Sequence, residues 1–271
     1  TGSCAAAAAK GAAFMLLKKE DRKEVCLMTP KGILLHLGLE DIRREEGEVT
    51  CAVRKDGGDD PDATNGILIY ASVKKSSRPD IVIDGGTGVG RVTRPGLSQP
   101  VGAAAINRVP REMITREVRS VCEECGYTGG LEVKIFVPEG EKIGARTFNP
   151  RLGIEGGISI LGTSGIVVPM SESALLESIR IEMKMLAENG GRYLVMTPGN
   201  YGEAFSKNEL GLDMTFSMKC SNYVGETLQM ADNLDVKGTL FIAHIGKFIK
   251  VSGGIMNTHS HHADCRAELL A

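Results

Sequence analysis

Tryptophan is absent from these 271 residues and all aromatics together make up only 4%, so the core has to be built from aliphatic and sulfur-bearing side chains. No apolar run approaches the roughly 20 residues needed to span a bilayer as a helix, which excludes that form of membrane insertion. Charge of one sign is also lacking. The balance of 32 basic and 34 acidic residues leaves a net −2 and gives no reason to invoke nucleic acid or an anionic membrane, so a small molecule is the expected partner. Seven scattered cysteines, an odd number, do not make a secreted disulfide framework; they read as reduced thiols in a cytoplasmic protein. The opening residues, Thr1-Gly2-Ser3-Cys4, include neither an initiator Met nor a basic n-region, so no signal peptide is expected. Ala5 to Leu17 reads as a helix whose small side chains permit close packing, and a few residues are expected upstream of Thr1.

Glycine, by contrast, is plentiful at 34 residues, and its placement organises the chain. Between Thr147 and Glu172 a strand-like apolar run, Ile158 to Leu161, is followed by the turn Gly162-Thr163-Ser164-Gly165 and by Ser171, a helix cap. A strand, a glycine turn and a helix start suit an anionic ligand. Upstream, Val25–Met28, Ile33–Leu39, Glu48–Val53 and Ile67–Val73 predict strands, the last two separated by the turn-rich Lys55 to Asp62. Asp80–Ile83 and Leu131–Val137 predict two more, flanking a helix opened by Pro110 with Ile114, Val118, Val121, Cys122 and Cys125 on one face.

After Pro138-Glu139-Gly140 the pattern changes to strand, loop and helix repeated three times. The units are Ile158–Leu161 with Ser171–Glu188, Tyr193–Thr197 with a helix near Gly202–Leu210, and Thr215–Cys220 with Asn222–Leu234; Thr239–His244 adds a last strand. The expectation is a mixed α/β protein of two domains. Residues 1–140 would form a hairpin-rich α+β domain, and 141–271 an α/β, Rossmann-like domain with a mostly parallel sheet and its ligand at the carboxyl ends of the strands.

The segments TGSCAAAAAK, KDGGDDPDATNG, GGTGVGRVTRPGL, AINRVPREMI, TPGNYG and THSHHADCRAE, in this order across nearly the whole chain, resemble the cobalt-precorrin-5B C-1 methyltransferase family. The resemblance implies an S-adenosylmethionine-dependent transferase that methylates C-1 of cobalt-precorrin-5B, giving cobalt-precorrin-6A in anaerobic cobalamin biosynthesis, with cobalt present only as part of the substrate. Family members run on beyond the position of Ala271, so a C-terminal part is expected to be missing. Such chemistry depends on holding sulfonium and acceptor carbon about 3 to 3.5 Å apart and in line, so no catalytic triad is expected and none is visible.

Within that reading, Gly162, Thr163, Ser164 and Gly165, together with Pro198, Gly199, Asn200 and Gly202, are placed at the ends of consecutive parallel strands, where their N–H groups would hold the methyl donor, with Glu203 the nearest acid for its ribose. A competing loop, Val82 to Gly90, has the acidic-glycine lettering of Rossmann-like methyltransferases. Pro95, Gly96 and Pro100 forbid an immediate helix after it, and no acid lies about 20 positions on, so it reads instead as a turn beside the macrocycle. Guanidinium groups bind the many carboxylates of such a macrocycle in bidentate fashion. Lys55, Arg91, Arg94, Arg146 and Arg151 are the expected substrate contacts, with Arg108 and Arg111 nearby in sequence. Asp59 and Asp60 are the candidates for proton handling, although the acidic turn is also read as carboxylates capping their own backbone.

Cys122 and Cys125 read as a packed pair on a helix face, His259, His261 and His262 lack a second ligand cluster, and Lys247 has no Walker loop before it, so no metal is assigned. The rival readings are a nucleotide-dependent corrinoid reductase and a non-catalytic corrinoid-binding or metal-delivery protein.

Overall fold

The computed structural model describes residues 1–60, 62–168 and 171–271; Pro61 of the acidic turn, and Pro169 and Met170 of the Thr147–Glu172 stretch, lie outside the described residues. The chain divides into two compact units, Thr1–Arg94 with Ser98–Met170, and Pro95–Leu97 with Ser171–Ala271.

In the first unit the elements follow as α1 (Gly2–Lys18), β1 (Glu24–Met28), β2 (Leu34–Gly38), β3 (Glu40–Glu45), β4 (Glu48–Arg54), β5 (Leu68–Ser76), β6 (Ile81–Gly85), β7 (Gly88–Val89), β8 (Arg91–Val92), α2 (Arg108–Glu124), β9 (Gly130–Phe136), α3 (Gly140–Gly144), β10 (Ile154–Glu155) and β11 (Gly157–Ile158). Its main sheet has the order β3-β4-β5-β9-β6. All neighbours are antiparallel except β6 and β9, which are parallel because α2 crosses between them. Alanine favours helix and presents only a methyl group, so α1 can bury Ala5 to Ala9, Ala12 and Ala13 completely between α2 and the sheet. Gly11 belongs to the same close approach, since a Cβ there would lie 2.4 Å from Leu39 Cδ1.

The strand β3 has no counterpart among the strands expected from sequence. Its residues, Glu-Asp-Ile-Arg-Arg-Glu, are almost all charged, which hides the apolar alternation but suits an exposed edge strand.

The second unit contains α4 (Glu172–Glu188), β12 (Tyr193–Thr197), α5 (Asn200–Asn208), β13 (Ser217–Lys219), α6 (Val224–Asn233), β14 (Gly238–Phe241), α7 (Ile245–Ser252) and α8 (Arg266–Leu270). Three parallel strands form its sheet in the order β13-β12-β14. Met183, Met196, Met218 and Met230 fill much of its core, where thioethers take the place of the missing rings. The Ser171 hydroxyl accepts from the Ala174 N–H at 3.3 Å and caps α4.

By its contacts the chain divides at 170/171, with Pro95–Leu97 grouped with the second unit, where 140/141 was expected from sequence. One expectation is corrected: Ile158–Leu161 is not the first strand of the second sheet. Only Gly157 and Ile158 form a strand, β11, and it pairs in parallel with β7 of the first unit, while β10 pairs with β8. Glycine explains the tightness of this junction: a Cβ on Gly88, where φ is +73°, would sit 1.7 Å from the Val137 carbonyl oxygen, and one on Gly157 would sit 2.2 Å from the Gly88 oxygen. The loop from Gly85 to Gly90 is thus closely packed: Gly88 admits neighbouring backbone, and Gly85, Gly86 and Gly90 admit the side chains of Ala104, Lys134 and Ile154.

Candidate functional site

In an open parallel sheet the ligand position is the crevice where strand order reverses. In chain order the strands of the second unit are β12, β13 and β14, and in space β12 is central, so the reversal lies between the carboxyl ends of β12 and β14. Pro198 and Gly199 leave β12 there, and Ile242, Ala243 and His244 leave β14. Gly199 N-caps α5 with no side-chain cap, so the first N–H groups of that helix face outward with their partial positive charge. A Cβ on Gly199 would meet no atom within 4 Å, and its φ of −171° is open to any residue, so the chain itself does not require glycine there. Gly202 differs. A Cβ at that position would lie 2.7 Å from the Ile242 oxygen, so glycine lets α5 approach the end of β14.

Around this crevice the polar side chains are linked. Lys219, at the end of β13, reaches Glu203 Oε2 at 2.8 Å and Asn200 Oδ1 at 2.5 Å. His244 caps α7 by accepting from the Gly246 N–H through Nδ1 at 3.0 Å, and Lys247 donates to Asn222 Oδ1 at 3.3 Å. Lys219, Asn222 and His244 are single residues without a motif in the sequence; strand order places them at the carboxyl edge of one sheet.

The first unit has a groove of about 970 Å³ along the polar stripe of α2, bounded by Ile83 and Asp84 of β6 and by the loop 98–106. Arg108, Arg111, Arg116 and Arg119 line it, opposed by Asp84, Glu112 and Glu123. Arg111 is half-buried and donates to the carbonyls of Ile106, Ile83 and Ala104 at 2.9, 2.9 and 3.3 Å; burial pushes its pKa below the ordinary arginine value. Arg108 faces Glu112 at 3.6 Å and Arg116 holds Glu117, whereas the exposed Arg119 has no partner among the described residues. These four arginines fall at i, i+3, i+8 and i+11, which one helix face collects; of them only Arg108 and Arg111 stood among the arginines expected from sequence.

The expected site residues are scattered more widely. Lys55 is buried and ion-paired with Asp62, whose carboxylate also accepts from the Thr64 N–H and hydroxyl at 2.9 and 2.8 Å. This lysine clamps the acidic turn from within. Asp56 caps the Gly58 N–H at 2.8 Å, while the side chains of Asp59 and Asp60 have no partner among the described residues. Arg91 is engaged in a bidentate pair with Asp84 at 2.7 and 2.9 Å and also donates to the Gly85 carbonyl at 2.6 Å; that pair holds the Asp84 carboxyl below the usual carboxylate range. Arg94 is exposed and runs over Gly153, and Arg146 and Arg151 are exposed beside Phe148 after α3.

The turn Gly162-Thr163-Ser164-Gly165 belongs to the first unit and follows no strand of the β13-β12-β14 sheet, so the expected pair of consecutive strand ends is not formed. It follows an isolated bridge between Ile106 and Ile160, and its neighbourhood supplies carbonyls to α1: Gly2 N–H donates to Leu161 O at 2.8 Å and Ser3 Oγ to Gly165 O. Cys122 is buried and Cys125 half-buried, and desolvation raises both thiols above their ordinary pKa.

The fold and sites define a two-unit α/β protein with a helix-terminus crevice suited to an anionic group and an arginine-lined groove. A model of the CbiD family matches residues 1–169. Among its relatives, the cobalt-precorrin-5B C(1)-methyltransferase of Ruminiclostridium cellulolyticum is 52% identical over all 271 residues, which span 70% of that protein. The protein of the same name from Alkaliphilus metalliredigens is 49% identical over the same residues and 71% of its own length. A 1.9 Å crystal structure of the cobalamin biosynthesis protein from Archaeoglobus fulgidus aligns with 98% of this chain and 82% of its own, with 26% identity and a TM-score of 0.51. The chain belongs to the CbiD family of C-methyltransferases.

Proposed function

We propose that this chain transfers the methyl group of S-adenosylmethionine to C-1 of cobalt-precorrin-5B. The observation that carries the reading is the 52% identity with a C(1)-methyltransferase across the whole chain. S-Adenosylmethionine would supply a methyl group on a positively charged sulfur, so the protein needs to bind and align two partners and needs no strong base. At the β12/β14 crevice the uncapped N–H groups of α5 suit the donor's carboxylate, and the space left by Gly199 admits it. In the first unit, the α2 arginines suit a substrate rich in carboxylates, and 970 Å³ is a volume appropriate to a macrocycle. Asp59 and Asp60 remain candidates for managing a substrate proton, both being without a protein partner among the described residues. The odd set of seven thiols supports a cytoplasmic setting, and among the described residues no helix is long and apolar enough to cross a membrane.

Incubation with cobalt-precorrin-5B and methyl-labelled S-adenosylmethionine should place one label at C-1. Gly199→Leu should keep the parent's melting temperature yet weaken S-adenosylhomocysteine binding by at least about tenfold, or roughly 1.4 kcal/mol. Stabilisation by NADPH instead of S-adenosylhomocysteine would favour a reductase and sink the reading.

A further inference from the structure

The hairpin of β1 and β2 carries three metal-ligating side chains that neither the methyl-donor crevice nor the arginine groove uses. Cys26 and His36 are directly opposed in the antiparallel register, and Glu24 lies two residues before Cys26, hence on the same face. That face is exposed, while Val25 and Leu27 of the opposite face are buried. His36 Nδ1 lies 3.4 Å from Cys26 Sγ and 3.2 Å from Glu24 Oε1, and the three donor atoms all fall within 4.8 Å of one another.

These distances match the edges of a tetrahedron around a small divalent ion. With Zn–S of about 2.3 Å and Zn–N or Zn–O of about 2.0 to 2.1 Å, tetrahedral geometry puts sulfur about 3.6 Å from nitrogen and nitrogen about 3.3 Å from oxygen. One thiolate, one imidazole and one carboxylate also form a donor set for a borderline ion such as Zn²⁺ or Co²⁺; Mg²⁺ and Ca²⁺ prefer oxygen throughout.

We propose that Glu24, Cys26 and His36 form a binding site for one Zn²⁺-like divalent transition-metal ion, with the fourth position open to water. On binding, Cys26 gives its thiol proton to solvent, one bond each forms from the metal to Cys26 sulfur, His36 Nδ1 and a Glu24 carboxylate oxygen, and five of the six waters of the hydrated ion leave while one stays; His36 is neutral, with its proton on Nε2. The ion links the two strands across their pairing. A two-stranded sheet is marginal by itself, so such a link fixes the hairpin.

The test is titration of the reduced full chain with cobalt chloride. The expected result is a thiolate-to-cobalt charge-transfer band that saturates at one equivalent and is bleached by zinc. Cys26→Ser should abolish the band, His36→Asn should weaken cobalt binding by at least about tenfold, and Cys265→Ser, which removes a thiol beside the His259–His262 segment, should leave the band intact. All three positions are at least partly exposed, so the variants should retain the parent's circular dichroism. Absence of the band in the parent, its persistence in Cys26→Ser, or its loss in Cys265→Ser would overturn the site. None of these outcomes depends on methyltransferase activity.

Discussion

The Lys219 ammonium lies 2.8 Å from the Glu203 carboxylate, joining the end of β13 to the first turn of α5. In dinucleotide-binding sheets the end of the second strand usually presents an acid to the ribose hydroxyls. Here that strand end presents a lysine, and the nearest acid sits one element earlier in the chain with its charge balanced. On the proposed reading, a ribose held at this crevice would meet the Glu203–Lys219 pair rather than a free carboxylate.

Lys219→Met tests this directly. Loss of a partly exposed ion pair should cost no more than about 1 kcal/mol of stability, while S-adenosylhomocysteine affinity should fall by about tenfold. Calorimetric titration alongside a thermal melt separates the two effects. Unchanged affinity would detach the pair from the donor site.

Arg119 is the groove arginine with no partner among the described residues, so its removal should leave packing intact. Arg119→Ala should raise the KM for the corrinoid by about tenfold with little change in kcat, as expected when an interaction common to ground and transition states is lost. Arg146→Ala and Arg151→Ala, made in parallel, would tell whether the exposed turn beside Phe148 shares the substrate. Steady-state kinetics that match the parent in all three would leave the macrocycle without these contacts.

Gly88 is irreplaceable for steric reasons. An alanine Cβ would overlap the Val137 carbonyl oxygen at 1.7 Å, and the positive φ adds strain, so Gly88→Ala should destabilise by at least about 3 kcal/mol. Gly102 also has a positive φ, +87°, but its Cβ direction is open, and Gly102→Ala should cost only about 1 kcal/mol. Urea denaturation of both variants checks the contrast.

Asp84 links stability to pH. The hydrogen bonds from Arg91 lower its pKa in the folded state, so its contribution is fully present above the unfolded value of about 3.9 and is lost as pH falls through the folded value. Stability of the parent should therefore decline below about pH 4, and Asp84→Asn should flatten that part of the curve. Urea midpoints measured from pH 5 down to pH 2.5 would show it; parallel curves would remove Asp84 as a contributor.

Much of the architecture was legible in the sequence. The alanine run, the apolar face of α2 and the strand Tyr193–Thr197 announce themselves through composition and period, and the quoted motifs carry the family resemblance along nearly the whole chain. These are local properties, fixed by propensity and by the spacing of apolar side chains. Tertiary structure alone decided which strands pair. Ile158 joins Val89 rather than Leu194, which moves the Gly162–Gly165 turn out of the parallel sheet, and the spatial order of β13, β12 and β14 selects one crevice among several glycine loops. The outward pairing of Cys26 with His36, and the confinement of Lys55 beside Asp62, likewise depend on register and burial. A glycine in the sequence shows only that a side chain is missing. Whether the space it leaves admits a ligand, as at Gly199, or another stretch of backbone, as at Gly88, depends on what the rest of the chain brings against it.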